Sequence, residues 1–457
     1  MKHSKFLLIG IIPLLLGGCG SEGETSTSST TPPIDTSKGK VQAKLNGSLN
    51  PDRTSGYDLT FDFDDAYFDN NAKIENQNLK LLSFASSMSS AKESLVTYFY
   101  TSMFYDNPQV SGYDVIDENS IGYCLAHKSI KDYELVSVSI RGLDYKQEWA
   151  SNFKIGKSGN HTGFEEKATE IYDSLKTYLA PYSQKEIKLW ISGYSRGGGV
   201  GNVLASLLLK EKTEINVKSE NLFVYTFEAP RGLSEENAIE YQNVFNYVNS
   251  DDPVPLLAPV EYGLYRCGKD IFINENKDVE QALYSFDEGA VLPSFTPSES
   301  NYNDQKGFNN FIFAGLLKDT EDPSTNLNTR ETFVDNYQDG ISYLIGLFFT
   351  LSDGTINKII STLKTQLEQD PLSIILILSD GGIYNFLKPI LDEDQVSYDN
   401  EKFEPACQSM NKLLQAKFSL LAHFIDTSAM SMNQAAVNNM MRAIDMHLPE
   451  TVYALIK

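Results

Sequence analysis

The chain carries 61 acidic against 38 basic residues over a length of 457, a formal net charge of −23 at pH 7. That balance excludes nucleic acid as a partner and disfavours broad adsorption to anionic lipid surfaces. Hydrophobic residues make up 41%, enough for one large elaborated domain or for two.

At the amino terminus Lys2, His3 and Lys5 precede an apolar run, residues 6–16, that is too short to span a bilayer. Gly17 and Gly18 then lead into Cys19. The pattern resembles a bacterial lipoprotein signal. The resemblance implies removal of residues 1–18, a lipid on Cys19 and an extracytoplasmic protein anchored to a bacterial membrane. An ordinary secretory signal with a chance cysteine is the alternative. Residues 19–55 are simple and polar, so they are expected to form a flexible tether, with the folded domain over 56–457. Cys124, Cys267 and Cys407 remain, a set that can hold one disulfide at most and is too scattered for zinc. Asp62, Asp64 and Asp65 lack the spacing of a calcium loop and read as a strand edge, so neither metal nor cofactor is expected.

Residues 135–140 read as a buried strand, followed by Arg141-Gly142-Leu143. Residues 187–192 read as a second, rich in β-branched and aromatic types. It runs into Gly193-Tyr194-Ser195-Arg196-Gly197, and beyond this Val200, Leu204, Leu207 and Leu208 repeat at helical spacing. Strand, sharp turn and helix in that order make a nucleophile elbow, which lifts a serine hydroxyl clear of the sheet beside a base. Small residues at 193 and 197 fit the crowding such a turn imposes. The amide of Arg196, at the helix start, is the natural first donor to an oxyanion, and the second should come from an earlier strand-end loop such as Arg141-Gly142-Leu143.

An elbow of this kind belongs to α/β-hydrolases, in which serine, acid and histidine follow in chain order at strand ends. Residues 222–227 and 244–249 read as the next two strands. Asp252 follows the second and precedes Pro253, which holds it extended, able to turn its carboxylate toward a histidine. Glu228, ending the preceding strand, competes for the acid's role, and Asp251 is adjacent but should point elsewhere. Among the histidines, His127 and His161 precede the serine, and His423 sits in an apolar helical run. His447 stands between one helical stretch and a helix opened by Pro449 and Glu450, and is the favoured base, with His423 second.

Several ordered motifs now make the chain resemble the class 3 lipase family. They are Ser139-Ile140-Arg141-Gly142-Leu143, Glu148-Trp149-Ala150-Ser151-Asn152, His161-Thr162-Gly163-Phe164, the elbow, Tyr225-Thr226-Phe227-Glu228-Ala229-Pro230-Arg231-Gly232, and Asn249-Ser250-Asp251-Asp252-Pro253-Val254-Pro255. The resemblance implies Ser195 as nucleophile, Asp252 as acid and Leu143 as the second oxyanion donor, with His161 structural. Leu143 departs from the family's Thr or Ser, keeping the amide but adding no hydroxyl. Tyr194 and Arg196 flank the serine where relatives carry His and Leu. Arg196 would either favour an anionic or polar acyl group or lie solvated at the surface.

The interval between Asp252 and His447 is far longer than the compact fungal pattern. The expected architecture is therefore an α/β-hydrolase, a mostly parallel sheet flanked by helices, with a mainly helical inserted cap over about 270–425. Two apolar segments lie there, residues 341–349 and 372–378, suited to an acyl pocket or to the insertion's own core. The expected activity is carboxylic ester hydrolysis, on acylglycerol or other lipid-like esters, with Ser195, Asp252 and His447 catalytic and Leu143 and Arg196 binding the oxyanion. A hydrolase of amide, thioester or sugar-acetate bonds is one alternative. A surface-anchored binding lipoprotein with an idle hydrolase body is the other.

Overall fold

The computed structural model describes residues 35–457 apart from 115–119, 144–145, 211–213, 216, 370–372, 380 and 427–430. Cys19 and the signal lie outside the described residues.

The sheet is built on a run that alternates two kinds of apolar side chain. In β6 (Glu186–Tyr194), Leu189 and Ile191 enter one core while Trp190 and Tyr194 enter the other, so both faces of the strand are buried. Around it lie β3 (Asp106–Ser111), β4 (Tyr123–Ile130), β5 (Tyr133–Ile140), β7 (Leu222–Phe227), β9 (Val244–Val248) and β11 (Lys269–Phe272). Their order is β11-β9-β7-β6-β5-β4-β3, parallel from β11 through β5 and antiparallel across β4 and β3. A two-stranded ribbon of β8 (Leu233–Ser234) and β10 (Leu264–Tyr265) flanks the sheet.

Helices cover both faces. On one, α3 (Thr162–Leu179) sends in Phe164, Ala168, Ile171 and Leu175, and α4 (Arg196–Leu209) sends in Val200, Val203 and Leu204. On the other lie α1 (Gln77–Ser89) and α2 (Glu93–Ser102), then α5 (Val279–Phe286) and α15 (Pro449–Ile456). Tyr453 of α15 packs its ring against Phe61, Phe84 and Phe286.

The tether expected over residues 19–55 ends sooner. Lys38–Leu45 forms β1, paired antiparallel along its length with β2 (Tyr57–Asp64). Val41, Ala43 and Leu45 point inward at period two, and lysines on the alternate positions gave this segment its polar look.

Between α5 and α15 the described chain is mainly helical. It comprises α6 (Gln305–Leu317), α7 (Arg330–Asn336), α8 (Gln338–Thr350), α9 (Asp353–Gln369), α10 (Ser373–Leu378), α11 (Gly382–Glu393), α12 (Asn400–Ala416), α13 (Phe418–Leu421) and α14 (Gln434–Met446). The apolar segment 341–349 lies in α8 and serves two surfaces. Tyr343, Leu344 and Leu347 join a small core with Leu391, Phe403 and Cys407, while Phe349 stacks on Trp149 with ring centroids 5.7 Å apart. In α10, Leu378 is buried and Leu376 is exposed. Cys124, Cys267 and Cys407 are buried free thiols. Among the described residues no helix is long and apolar enough to cross a membrane.

Candidate active site

Ser195 joins β6 to α4 in a conformation L-residues avoid, φ 52° and ψ −125°. The turn is held because the Ser195 amide donates to the Phe227 carbonyl at 2.8 Å and its own carbonyl accepts from the Gly199 amide at 3.0 Å. Crowding explains the glycines. A Cβ on Gly193 would lie 2.3 Å from the Gly197 carbonyl oxygen, and one on Gly197 would lie 2.5 Å from that of Ile140. The strain is stored where the hydroxyl is displayed.

The three side chains singled out in the sequence meet. Ser195 Oγ lies 2.9 Å from His447 Nε2, and His447 Nδ1 lies 2.5 Å from Asp252 Oδ2. Asp252 follows β9 and precedes Pro253, and its other oxygen accepts from the Val254 amide at 2.8 Å. His447 sits at the joint of α14 and α15, and three successive carbonyls pin that joint. Thr451 Oγ1 donates to Asp445 O at 2.8 Å, Asn249 Nδ2 to Met446 O at 3.3 Å, and Tyr194 Oη to His447 O at 2.5 Å. Burial holds the His447 imidazole below its ordinary value, at about 4, so near neutral pH it is the uncharged form a proton acceptor requires.

The competing residues stand elsewhere. His423 bonds through Nε2 to the Tyr302 hydroxyl at 2.9 Å, and His127 lies between Tyr178 and Tyr182. His161 stacks on Phe164 at 3.9 Å and faces the Asn152 carbonyl through Nε2 at 3.0 Å. Asp251 lends its carbonyl to Asn309 Nδ2 at 2.7 Å. Glu228, the competing acid, stands behind Asp252, with each carboxyl oxygen 3.0 Å from the Asn249 amide.

Leu143 follows a glycine pressed against the elbow. A Cβ on Gly142 would fall 1.6 Å from the Tyr194 carbonyl oxygen and 3.1 Å from the Gly197 nitrogen, so the backbone at 142 and 143 runs directly beside the turn carrying Ser195 and Arg196. The Leu143 side chain packs half-buried against the core.

Both expectations for the Arg196 side chain are overturned. It is 0% exposed and points into the protein, where Nη1 meets Glu148 Oε2 at 3.1 Å, Nε meets Ser151 Oγ at 3.1 Å and Nη2 meets the Ser120 carbonyl at 3.1 Å. Glu148, equally buried, pairs through its other oxygen with Arg141. One carboxylate thus ties the residue after Ser195 to the residue that follows β5, bracing both walls of the turn. The partners are far apart in sequence and carry no local pattern.

A crevice at Ser195 with about 10 Å³ of free space, scarcely room for one water, is lined by the apolar Trp149, Phe164, Pro230, Val254, Leu257 and Ala258 together with the polar Asn152, His161 and Arg196. Ser195 itself is 2% exposed. Among the described residues no group of three or more His, Cys, Asp or Glu could hold a metal.

Residues 137–262 match the family model described as lipase (class 3). Among curated proteins no match was found. Among solved structures the chain is similar to a triacylglycerol lipase described as having a serine-protease triad at its catalytic centre, with 19% identity over 44% of this chain and 83% of that one and a TM-score of 0.37. It is also similar to the Rhizomucor miehei triacylglyceride lipase (18% identity, 44% and 83% covered, TM-score 0.35) and to a Yarrowia lipolytica lipase (14%, 51% and 86%, TM-score 0.30).

Proposed function

We propose that the protein is a serine hydrolase of carboxylic esters, acting on acylglycerol or other lipid-like esters through an acyl-serine intermediate. The observation that carries this is the chain of contacts from Ser195 Oγ through the His447 ring to Asp252. Neutral His447 takes the Ser195 proton through Nε2 as Oγ attacks the ester carbonyl, and Asp252 holds the Nδ1–H tautomer and balances the imidazolium. The amides of Leu143 and Arg196 receive the oxyanion. Imidazolium returns its proton to the leaving alcohol, and water then cleaves the acyl-serine with the same base.

Six apolar residues in the crevice lining, Trp149, Phe164, Pro230, Val254, Leu257 and Ala258, support an acyl chain as the bound group. Ser195 is buried, and Phe349 of α8 stacks on Trp149, which lines the crevice; on this reading the helical segment acts as a cap and the pair separates to admit substrate. The same reading puts the enzyme outside the cytoplasm of a bacterium, tethered by a lipid on Cys19; the support is the sequence of the signal alone.

A fluorophosphonate probe tests the chemistry. Labelling of the wild type, its loss in Ser195→Ala and a strong reduction in His447→Ala are expected, and a wild type that does not label defeats the proposal in favour of a binding protein. Rates on nitrophenyl esters from acetate to palmitate then define the acyl preference. Palmitate incorporation in the parent chain and its absence in Cys19→Ala tests the anchor.

A further inference from the structure

We propose that Glu228 is a positioning residue of this site, a neutral carboxylic acid that donates a hydrogen bond to Asp252 and fixes the single negative charge facing His447. The inference rests on the hydrolase reading for its catalytic consequence, though not for the shared proton itself.

Glu228 directly follows β7 at φ 50°, a left-handed conformation for a residue with a full side chain, so the backbone is held against its preference to aim the carboxyl inward. There it is 0% exposed, its carboxyl set beside the equally buried Asp252, whose amide donates to the carbonyl of the same Asn249 that donates to Glu228. Two carboxyl groups in such contact cannot both be ionised, because each would present an oxygen lone pair and a charge to the other. One proton must therefore sit between them.

The donors decide which group keeps it. Asp252 receives the Val254 amide and the His447 Nδ1–H, and it lies in the field of Arg266. Glu228 has one amide, that of Asn249, shared by both oxygens. The better-solvated carboxylate is Asp252, so the proton rests on Glu228. Burial raises both carboxyls, and Asp252 drives Glu228 further upward. The charged or titratable groups facing the pair are His447, neutral at rest, and Arg266, which is itself matched by Asp270 at 2.6 Å.

The arrangement carries a distinct mutational signature. Gln at 228 keeps a donor toward Asp252 and an acceptor for Asn249, whereas Ala leaves an Asp252 oxygen without its partner. Glu228→Gln is expected to hold kcat within about threefold of wild type at neutral pH, and Glu228→Ala to lose at least about tenfold in kcat with KM little changed. Melting temperatures across pH read the proton without any turnover. A carboxyl that stays protonated when folded but ionises when unfolded destabilises the fold as pH rises above its unfolded value, near 4.5. The wild type should therefore lose stability relative to Glu228→Gln between about pH 5 and 8. The proposal is overturned if that difference is flat, if Gln is as damaging as Ala, or if Ala leaves kcat intact. If the wild type shows no hydrolysis at all, the hydrolase reading fails while the melting series still decides whether the Glu228–Asp252 pair holds a proton.

Discussion

Gly142→Ala offers a measurement of the oxyanion wall with little else disturbed. Its backbone is not left-handed, and the added carbon meets only the elbow, at the Tyr194 carbonyl and the Gly197 nitrogen. That carbon would fall 1.6 Å from the Tyr194 carbonyl oxygen, where real Cβ contacts keep at least 3.0 Å, so the 142–143 segment must withdraw from the elbow by about 1.4 Å. The withdrawal pulls the Leu143 amide out of line with the Ser195 carbonyl adduct while the contact between Ser195 and His447 survives. Displacements of about 1 Å cost about 100-fold, and loss of one oxyanion donor about 100- to 1,000-fold. A fall in kcat of that size, about 3 kcal/mol or more of barrier, is expected with KM nearly unchanged. Steady-state hydrolysis of nitrophenyl butyrate, with a melting curve to show that the variant is folded, makes the measurement. A folded Gly142→Ala protein with kcat within threefold of wild type would refute the assignment of Leu143.

Three further outcomes are expected. Glu148→Gln leaves Arg141 and Arg196 facing a neutral group in the interior, and should cost about 3–5 kcal/mol in denaturant unfolding, unlike a surface pair. Burial lowers the His447 imidazole, so the acid limb of kcat/KM should lie below the ordinary histidine value of about 6.5, and a limb centred above 6.5 would show that the Asp252 charge outweighs the burial. Phe349→Ser removes a ring stack worth about 0.5–1.5 kcal/mol and should raise the rate on soluble short esters about two- to tenfold, with a smaller gain when detergent is present.

The parts of the molecule legible in the sequence were those where chemistry or torsion admits few residue types. The elbow is written in glycines because the turn has no room for side chains, and Asp252 is marked by the proline after it. His447 is marked by the same kind of local cue, a helix start at Pro449. Strands β5, β6, β7 and β9 were visible as short apolar runs because a parallel sheet buries both faces. What was not legible depends on partners remote in the chain. Arg196 read as substrate-facing or surface because nothing near it announces Glu148. Glu228 read as a rival to Asp252 because left-handed backbone leaves no trace in composition. The strand at Lys38–Leu45 was hidden by its outward lysines, and the second face of α8 became apparent only with Trp149 opposite Phe349.

The joint that carries His447 has a consequence for assembly. Its imidazole is aimed by three carbonyl clamps and by α15, whose Tyr453 is wedged among aromatic rings from Phe61, Phe84 and Phe286. Val452, Tyr453, Leu455 and Ile456 of that short helix share the core under the sheet, and on the hydrolase reading the Ser195 hydroxyl has no base until it seats. If the proposed hydrolysis holds, reactivity works as a completion signal: a molecule loose at residues 447–457 would display Ser195 without its base, and a single backbone cut at the joint would disarm it.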